Sequence, residues 1–324
     1  MLALAVLAMN LPTATADVLP QPELIAEGGG SLFGGRSPMQ VWDLEKITDD
    51  IYGLRYTFYR TIFIVTPDGV IATDPINPDA AAVLREQIRN ITDQPVRYVG
   101  YSHSHWDHIG GGQVFKDDGA TFVAQERCAE NFRENPNPIV VMPDITYGER
   151  YTIELGGKSI TMYYFGPTHD NCLVVMHIEP ENVMFVVDIA NPPSGWNMFY
   201  NPAVSEDRVW NMVPALDQVA ALIDREGVET IIGGHMTTDY DPQTGRPTIV
   251  RGTIGPAATV AERRDFWVAL IAGARAEMEA GTPADEIPDK LVADGYMRDR
   301  VNGYNADSMR ILFRRMVAFL QTGE

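Results

Sequence analysis

Three of the six histidines in this chain lie within six consecutive residues, and this run limits the possible folds more than any other feature. The run reads His103-Ser104-His105-Trp106-Asp107-His108. It follows an apolar stretch at 96–101 that predicts a strand, and glycines at 110–112 come after it. An extended backbone points every second side chain the same way, so His103, His105 and Asp107 share one face, and the glycines turn His108 back beside them. Zinc binds imidazole nitrogen and carboxylate oxygen, and four such donors suit two adjacent ions better than one.

A bland alternative exists for this run. Histidines also occur in solvated loops, or in cores where hydrogen bonds satisfy them. A single histidine would favour that explanation, whereas three histidines and an aspartate at this spacing favour a metal site.

The charge balance excludes several classes of partner. The 324 residues carry 25 Lys and Arg against 44 Asp and Glu, a formal net charge of −19. Nucleic-acid phosphates and anionic membranes both need clustered cations, so we expect neither partner. The two cysteines, Cys128 and Cys172, are too few for a disulfide framework and form no CxxC pair. We expect Cys172 to be a small buried residue without a redox role.

The sequence predicts that the first 45 residues form a leader segment. Residues 2–9 are apolar, and Ala14-Thr15-Ala16 before Asp17 matches a signal-peptide cleavage site, although the basic residues that open such a signal are missing. A frayed apolar tail or a buried first helix is the alternative. We expect residues 1–16 to be a signal peptide and residues 17–45, rich in Gly and Pro, to be irregular. This interpretation predicts a periplasmic or secreted protein.

Strands and helices intermix in the rest of the chain, which predicts an α/β or α+β fold. Alternating runs predict strands at 51–57, 61–66, 70–73, 96–101, 121–124, 158–165, 173–178, 183–187 and 230–232. Apolar spacing predicts helices at 79–91 and after a cap at Ser205, and mostly helical structure beyond residue 250. The last helix, at 306–320, carries an apolar stripe that we expect to be core. Its members are Met309, Leu312, Phe313, Met316, Val317 and Leu320.

The histidine run resembles the signature motif of the metallo-β-lactamase-fold superfamily. The other landmarks of that family stand in order: Asp74 after an apolar run, His169 in Gly-Pro-Thr-His, Asp188 after another apolar run, and His235 after two glycines. The resemblance covers about residues 47–240. It implies a four-layer αββα sandwich at 46–250, with a helical C-terminal extension at 251–324 packed on the same domain.

The resemblance also implies a ligand set for two zinc ions, although iron or manganese would suit the same donors. The first ion would be held by His103, His105 and His169. The second would be held by Asp107, His108 and His235, and Asp188 would bridge the two. The remaining histidine, His177, lies inside a predicted strand and is expected to be structural.

Such a pair of ions activates a water for hydrolysis, with Asp107 as the candidate that orients it and moves its proton. We expect a zinc-dependent hydrolase that opens a carboxylic ester, lactone or β-lactam-type amide bond. A phosphodiesterase or sulfatase-like hydrolase is the first alternative. An iron-dependent oxidoreductase on the same fold is the second.

Substrate contacts are harder to predict, because they lie outside the ligand set. Aromatic and polar residues near the expected site favour a small-molecule substrate with apolar surface. The candidates are Tyr59, Arg60, Asn171, Trp196 and Phe199. For the two loops that carry the aromatics, packing against the C-terminal helices is an equal alternative, and the sequence does not indicate an oligomeric state.

Overall fold

The computed structural model describes residues 41–198, 208–240, 247–250 and 253–323. Within these residues the first sheet has seven strands in chain order, antiparallel from the first to the fourth and parallel from there on. They are β1 (Trp42–Lys46), β2 (Ile51–Tyr56), β3 (Tyr59–Thr66), β4 (Gly69–Thr73), β5 (Val96–Gly100), β6 (Thr121–Gln125) and β7 (Ile145–Tyr147). β1 pairs with β2 from Trp42 onward, so ordered structure begins inside the stretch that we expected to be irregular up to residue 45.

Eight more strands follow along the described chain, and six of them form the second sheet. The eight strands are β8 (Arg150–Leu155), β9 (Lys158–Tyr164), β10 (Val174–Glu179), β11 (Val183–Val186), β12 (Thr230–Gly233), β13 (Thr237–Tyr240), β14 (Pro247–Val250) and β15 (Ile254–Pro256). The sheet has the order β15-β12-β11-β10-β9-β8, while β13 and β14 pair with each other. All neighbours in the sheet are antiparallel except β11 and β12.

Helices cover the outer face of each sheet. Those of the first half are α1 (Pro78–Ile91), α2 (Trp106–Ile109), α3 (Gln113–Asp117) and α4 (Glu126–Glu134). Those of the second half are α5 (Val209–Glu226), α6 (Ala258–Glu279), α7 (Ile287–Ala293) and α8 (Ala306–Thr322). Asn77 caps α1 by accepting a hydrogen bond from the Ala80 amide, and Pro78 occupies the first turn, where its missing N–H costs nothing. The predicted cap Ser205 lies outside the described residues.

Strands buried on both faces explain the layering. In β3, Ile62 and Ile64 belong to the core between the sheets, whereas Phe63 belongs to the core that contains Leu84 and Ile88 of α1. A period of two therefore places alternate apolar residues in different layers. A third core joins the outer face of the second sheet to α5, α6, α7 and α8. This is the expected four-layer αββα sandwich.

The C-terminal helices complete the second outer layer. In α8 the predicted stripe is buried from Met309 to Val317, and Leu320 at its end is partly buried. No helix in the described parts of the chain combines the length and apolar character that a bilayer crossing requires.

A disulfide joins Cys128 of α4 to Cys172 of the loop before β10, and both residues are fully buried. The expectation that Cys172 is simply a small buried residue is therefore wrong. The two cysteines are 44 residues apart and lie on elements of different type, so no local pattern in the sequence announces their pairing.

Candidate metal centre

The first sheet contributes the histidine run. The run begins three residues beyond β5, and the loop is fixed at its start because the Ser102 amide donates to Asp74 Oδ1 at 2.8 Å. Asp74 is fully buried at the end of β4, and this burial raises its pKa to about 6 against the opposing hydrogen bonds from Ser102. His103 and His105 lie on the loop, and His108 lies on the short helix α2. The extended end of a strand and one helical turn thus bring three imidazoles together.

The second sheet contributes the remaining donors at the ends of its strands. His169 lies in the loop between β9 and β10, Asp188 follows β11, and His235 follows β12. Asp188 has a φ of +61°, a left-handed conformation that costs of the order of 1–3 kcal/mol outside glycine and is typical of functional positions. His235 is held by an antiparallel bridge to Tyr59, and the Arg60 amide donates to the Gly234 carbonyl at 2.7 Å. The turn between β2 and β3 therefore lies along the last ligand segment.

Asp188 is the hub of the cluster. Its Oδ2 lies 3.2 Å from Nε2 of His103 and 3.4 Å from Nε2 of both His108 and His169. Its Oδ1 lies 2.5 Å from Nε2 of His235. Burial alone would raise the pKa of Asp188, but its electrostatic interactions with His108 and His235 and hydrogen bonds from His103 and His235 hold it well below its ordinary value.

The donor atoms form two groups that share this carboxylate. One contains His103, His105, His169 and Asp188, and the other contains His108, Asp188 and His235. In each group the ligand atoms lie within 4.8 Å of one another.

Imidazole nitrogens within these groups face each other. Nε2 of His108 and His235 are 3.0 Å apart, and Nε2 of His169 is 3.2 Å from Nδ1 of His105. Burial lowers the pKa of His105, and that of His108 well below its ordinary value, which favours neutral rings with a free lone pair. Imidazoles that converge around a shared carboxylate are the donor set of a divalent metal site. The residues present fit a divalent metal ion.

Asp107, the predicted catalytic ligand, is exposed on α2 and belongs to neither of these two groups. Burial, followed by the charge of Asp107, raises the pKa of Tyr59 to about 12, so the phenol stays a donor at neutral pH. The ring of Tyr59 contacts His108 and His235, with centroid distances of 5.3 and 5.0 Å. Tyr59 thus lies at the histidine cluster, and its predicted contact with substrate stays a prediction.

A hydrogen-bond network supports the histidine loop from behind. Asp170 Oδ2 accepts from the amide of Ser104 at 2.9 Å and from its hydroxyl, and Oδ1 accepts from the Cys172 amide at 2.5 Å. Asn131 of α4 donates to the Ser104 hydroxyl at 2.9 Å and exchanges two hydrogen bonds with Asn171. No pattern in the sequence indicates that Ser104 and Asn131 support the site, because their hydrogen-bond partners are distant in the chain.

Two of the predicted substrate contacts are corrected by the structure. Arg60 is 2% exposed and forms an ion pair with Glu45 of β1, so its guanidinium is turned away from any substrate. Trp196 packs in the C-terminal layer, 5.9 Å from the Phe266 ring and 4.0 Å from the Arg300 guanidinium. Asn171 is engaged with Asn131, and Phe199 lies outside the described residues. His177, in β10, pairs with Asn182 at 2.7 Å, separately from the cluster.

A cavity of about 680 Å³ opens beside His105. The histidine loop forms one wall and the end of α4 forms the other. The cavity is lined by Ser104, His105, Trp106, Asp107, Asn131, Phe132, Glu134 and Asn135.

Residues 57–235, more than half of the chain, match the family Lactamase_B, described as the metallo-beta-lactamase superfamily. The chain belongs to this superfamily. Solved structures of the metallo-beta-lactamase superfamily share the fold with this member at low sequence identity. A metallo-beta-lactamase from Pontibacter korlensis is 18% identical, with a TM-score of 0.58, covering 70% of this chain and 99% of that one. The sec-alkylsulfatase Pisa1 from Pseudomonas sp. is 16% identical, with a TM-score of 0.63, covering 84% of this chain and 50% of that one.

The name of one curated relative of this superfamily member refers to O-demethylation. The 2,4-dinitroanisole O-demethylase subunit alpha of Nocardioides sp. (strain JS1661) is 27% identical over 163 residues. The match covers 48% of this chain and about half of the relative.

Proposed function

We propose that this protein is a hydrolase that holds two zinc ions and cleaves a carboxylic ester, lactone or amide bond with water. The observation that carries the proposal is the pair of donor groups that share Asp188. His103, His105 and His169 would hold one ion, and His108 and His235, together with Asp107, the other. When bound, the ions supply polarisation of the scissile bond and a lowered pKa for water.

The surrounding residues orient the reactants. Asp107 accepts the proton that the water loses. It then donates this proton to the leaving group. Tyr59 packs its ring against His108 and His235, and its hydroxyl stays protonated at neutral pH. The reaction R–CO–X + H₂O gives R–COOH and HX, so it consumes water and needs no redox partner.

Removal of one ligand tests the proposal. We expect His105→Ala to lose hydrolysis and part of the bound metal while its far-UV circular dichroism is unchanged, because the ligand lies on a loop and contributes little to the core. His177→Ala is the matched control, since His177 lies outside the cluster and should keep both properties.

Metal analysis of protein purified without added metal separates the proposed chemistry from redox chemistry. About two zinc ions per chain support the proposal. Iron in their place, or full activity of His105→Ala, would contradict it.

Two other bonds are candidates for the same site. The sec-alkylsulfatase that shares the fold makes a sulfate ester, and by analogy a phosphate ester, one candidate. The name of the Nocardioides relative makes an aryl methyl ether the other, and its cleavage by water would give a phenol and methanol. A phenyl ester, a lactone, a cephalosporin, an alkyl sulfate, a phosphodiester and 2,4-dinitroanisole should be assayed side by side. Turnover confined to the alkyl sulfate, the phosphodiester or 2,4-dinitroanisole would contradict a carboxylic substrate.

We further propose that the protein works outside the cytoplasm. The disulfide between Cys128 and Cys172 supports this location, because disulfides persist in oxidising compartments. Fractionation of cells that express the full chain tests it. Protein found in the cytosol with two free thiols would contradict the proposal.

A further inference from the structure

The cavity beside His105 carries an imbalance of charge. Two carboxylates, Asp107 and Glu134, belong to its lining, and no lysine or arginine does among the residues that the structure describes. Arg60 is buried against Glu45, Arg127 of α4 stacks over Tyr164 at 5.9 Å, and Arg133 of α4 is exposed but does not line the cavity. A second anionic group on a bound molecule would therefore meet the charge of Glu134, and no lining residue is a lysine or arginine that could offset it.

Two polar side chains of the cavity wall, Ser104 and Asn131, are paired with each other and with residues behind the wall. Both amide hydrogens of Asn131 are used, one toward Ser104 and one toward Asn171, and its carbonyl oxygen accepts from Asn171. The Ser104 hydroxyl donates to Asp170. The Ser104 hydroxyl and the Asn131 amide are therefore already engaged and do not offer a donor to a substrate carboxylate.

The apolar part of the cavity is offered by two aromatic residues. Phe132 is buried at 4% exposure in the core behind α4, whereas Trp106 is 42% exposed, although an indole of this size is normally covered. An exposed tryptophan at a cavity next to reactive groups is typical of a surface on which a flat apolar group stacks.

We propose that the substrate presents an aromatic group to Trp106 and carries no anionic group beyond the bond that reacts. This inference rests on the proposed hydrolytic function, because it describes the part of the substrate that lies beside the reacting bond. Metal charge would act at the reacting bond and on Asp107, which would hold one ion, while a remote carboxylate on the substrate would meet Glu134 at the end of α4. Compounds with such a remote carboxylate, β-lactams included, should be poor substrates.

A matched pair of esters tests the charge selection on the metal-loaded full chain. 3-Carbamoylphenyl acetate and 3-carboxyphenyl acetate have the same shape and differ by one negative charge on the aromatic ring. We expect kcat/KM to be higher for the carbamoyl ester. Glu134→Lys should raise the ratio of carboxyl to carbamoyl kcat/KM on the order of tenfold, because it turns a repulsive charge into an attractive one.

Glu130→Lys is the control for the change in net charge. Glu130 is exposed on the same helix but does not line the cavity, so its ratio should stay within about twofold of the wild type. A wild type that prefers the carboxyl ester, or a ratio that Glu134→Lys leaves unchanged, would overturn the inference while the hydrolytic function stands.

A binding measurement keeps the inference testable if neither ester is hydrolysed, an outcome that would contradict only the ester branch of the proposed function. We expect 4-nitrobenzyl alcohol to quench tryptophan fluorescence saturably, with or without metal, and 4-nitrobenzenesulfonate to do so at least tenfold more weakly. Trp106→Ala should remove the saturable part. Equal binding of the two probes, or saturable quenching that survives Trp106→Ala, would refute the stacking surface.

Discussion

Loss of the disulfide should remove a large share of the stability of this protein. Cys128 and Cys172 are 44 residues apart, and the chain between them includes β7, β8 and β9. Closing a loop of that length lowers the entropy of the unfolded chain by an amount worth about 4 kcal/mol at 25 °C. A whole domain is commonly stable by only about 5–15 kcal/mol, so the cross-link contributes a substantial part.

Urea unfolding, followed by circular dichroism with and without reductant, measures this contribution. We expect reduction of the wild type to lower the free energy of unfolding by about 4 kcal/mol and the midpoint by roughly 1–2 M urea. The double variant Cys128→Ala/Cys172→Ala should start near the reduced wild type and show no response to reductant.

Thiol titration of the urea-unfolded wild type completes the test. With the disulfide formed, no thiol reacts until reductant is added. Two reactive thiols at the outset, or an unfolding midpoint that reductant does not move, would refute the reasoning. Reduction should also weaken metal retention, because the Cys172 amide holds Asp170 in the network behind the histidine loop.

Two smaller changes test the site support and the packing. Asp170→Asn places an amide where two donors converge, so we expect metal affinity to fall about 10–100-fold in a competition assay with a chromogenic chelator. Asp144→Asn, whose carboxylate accepts a backbone amide away from the histidines, should lower stability but keep that affinity. Gly53→Ala would place a methyl group 2.7 Å from the Arg60 guanidinium and should lower the free energy of unfolding by about 1–3 kcal/mol. Gly148→Ala, whose nearest contact is at 3.8 Å, should unfold at the wild-type urea concentration or slightly above.

Most of the fold could be predicted from the sequence because the patterns of apolar residues that indicate strands and helices are local. Apolar alternation placed many strands within one or two residues; for example, the strand predicted at 183–187 is β11 at Val183–Val186. Short elements without such a pattern escaped, among them β7, β8 and the helices α2, α3 and α4. Their residues form regular structure because they are packed against neighbours, which no window of sequence reveals.

For the metal site too, local sequence patterns reveal some residues, whereas contacts with distant residues decide the role of others. The histidine run and Asp188 are recognisable because each follows a strand in a fixed motif, and the structure brings these donors together. Arg60 was predicted to meet a substrate, and the reason it does not is Glu45, which lies on a strand at the end of the expected leader. Pairings between distant residues, like the disulfide, depend on the finished fold and leave no trace in local sequence.

The two sheets contribute equally to the metal centre. The loop after β5 and α2 provide His103, His105 and His108, and the ends of the second sheet's strands provide His169, Asp188 and His235. An unfolded chain cannot offer these donors together, so occupancy by metal is also stability: a free ion at one hundred times its dissociation constant adds about 2.7 kcal/mol. The free metal concentration in its compartment therefore sets how much loss of stability through substitutions this protein can tolerate before it unfolds.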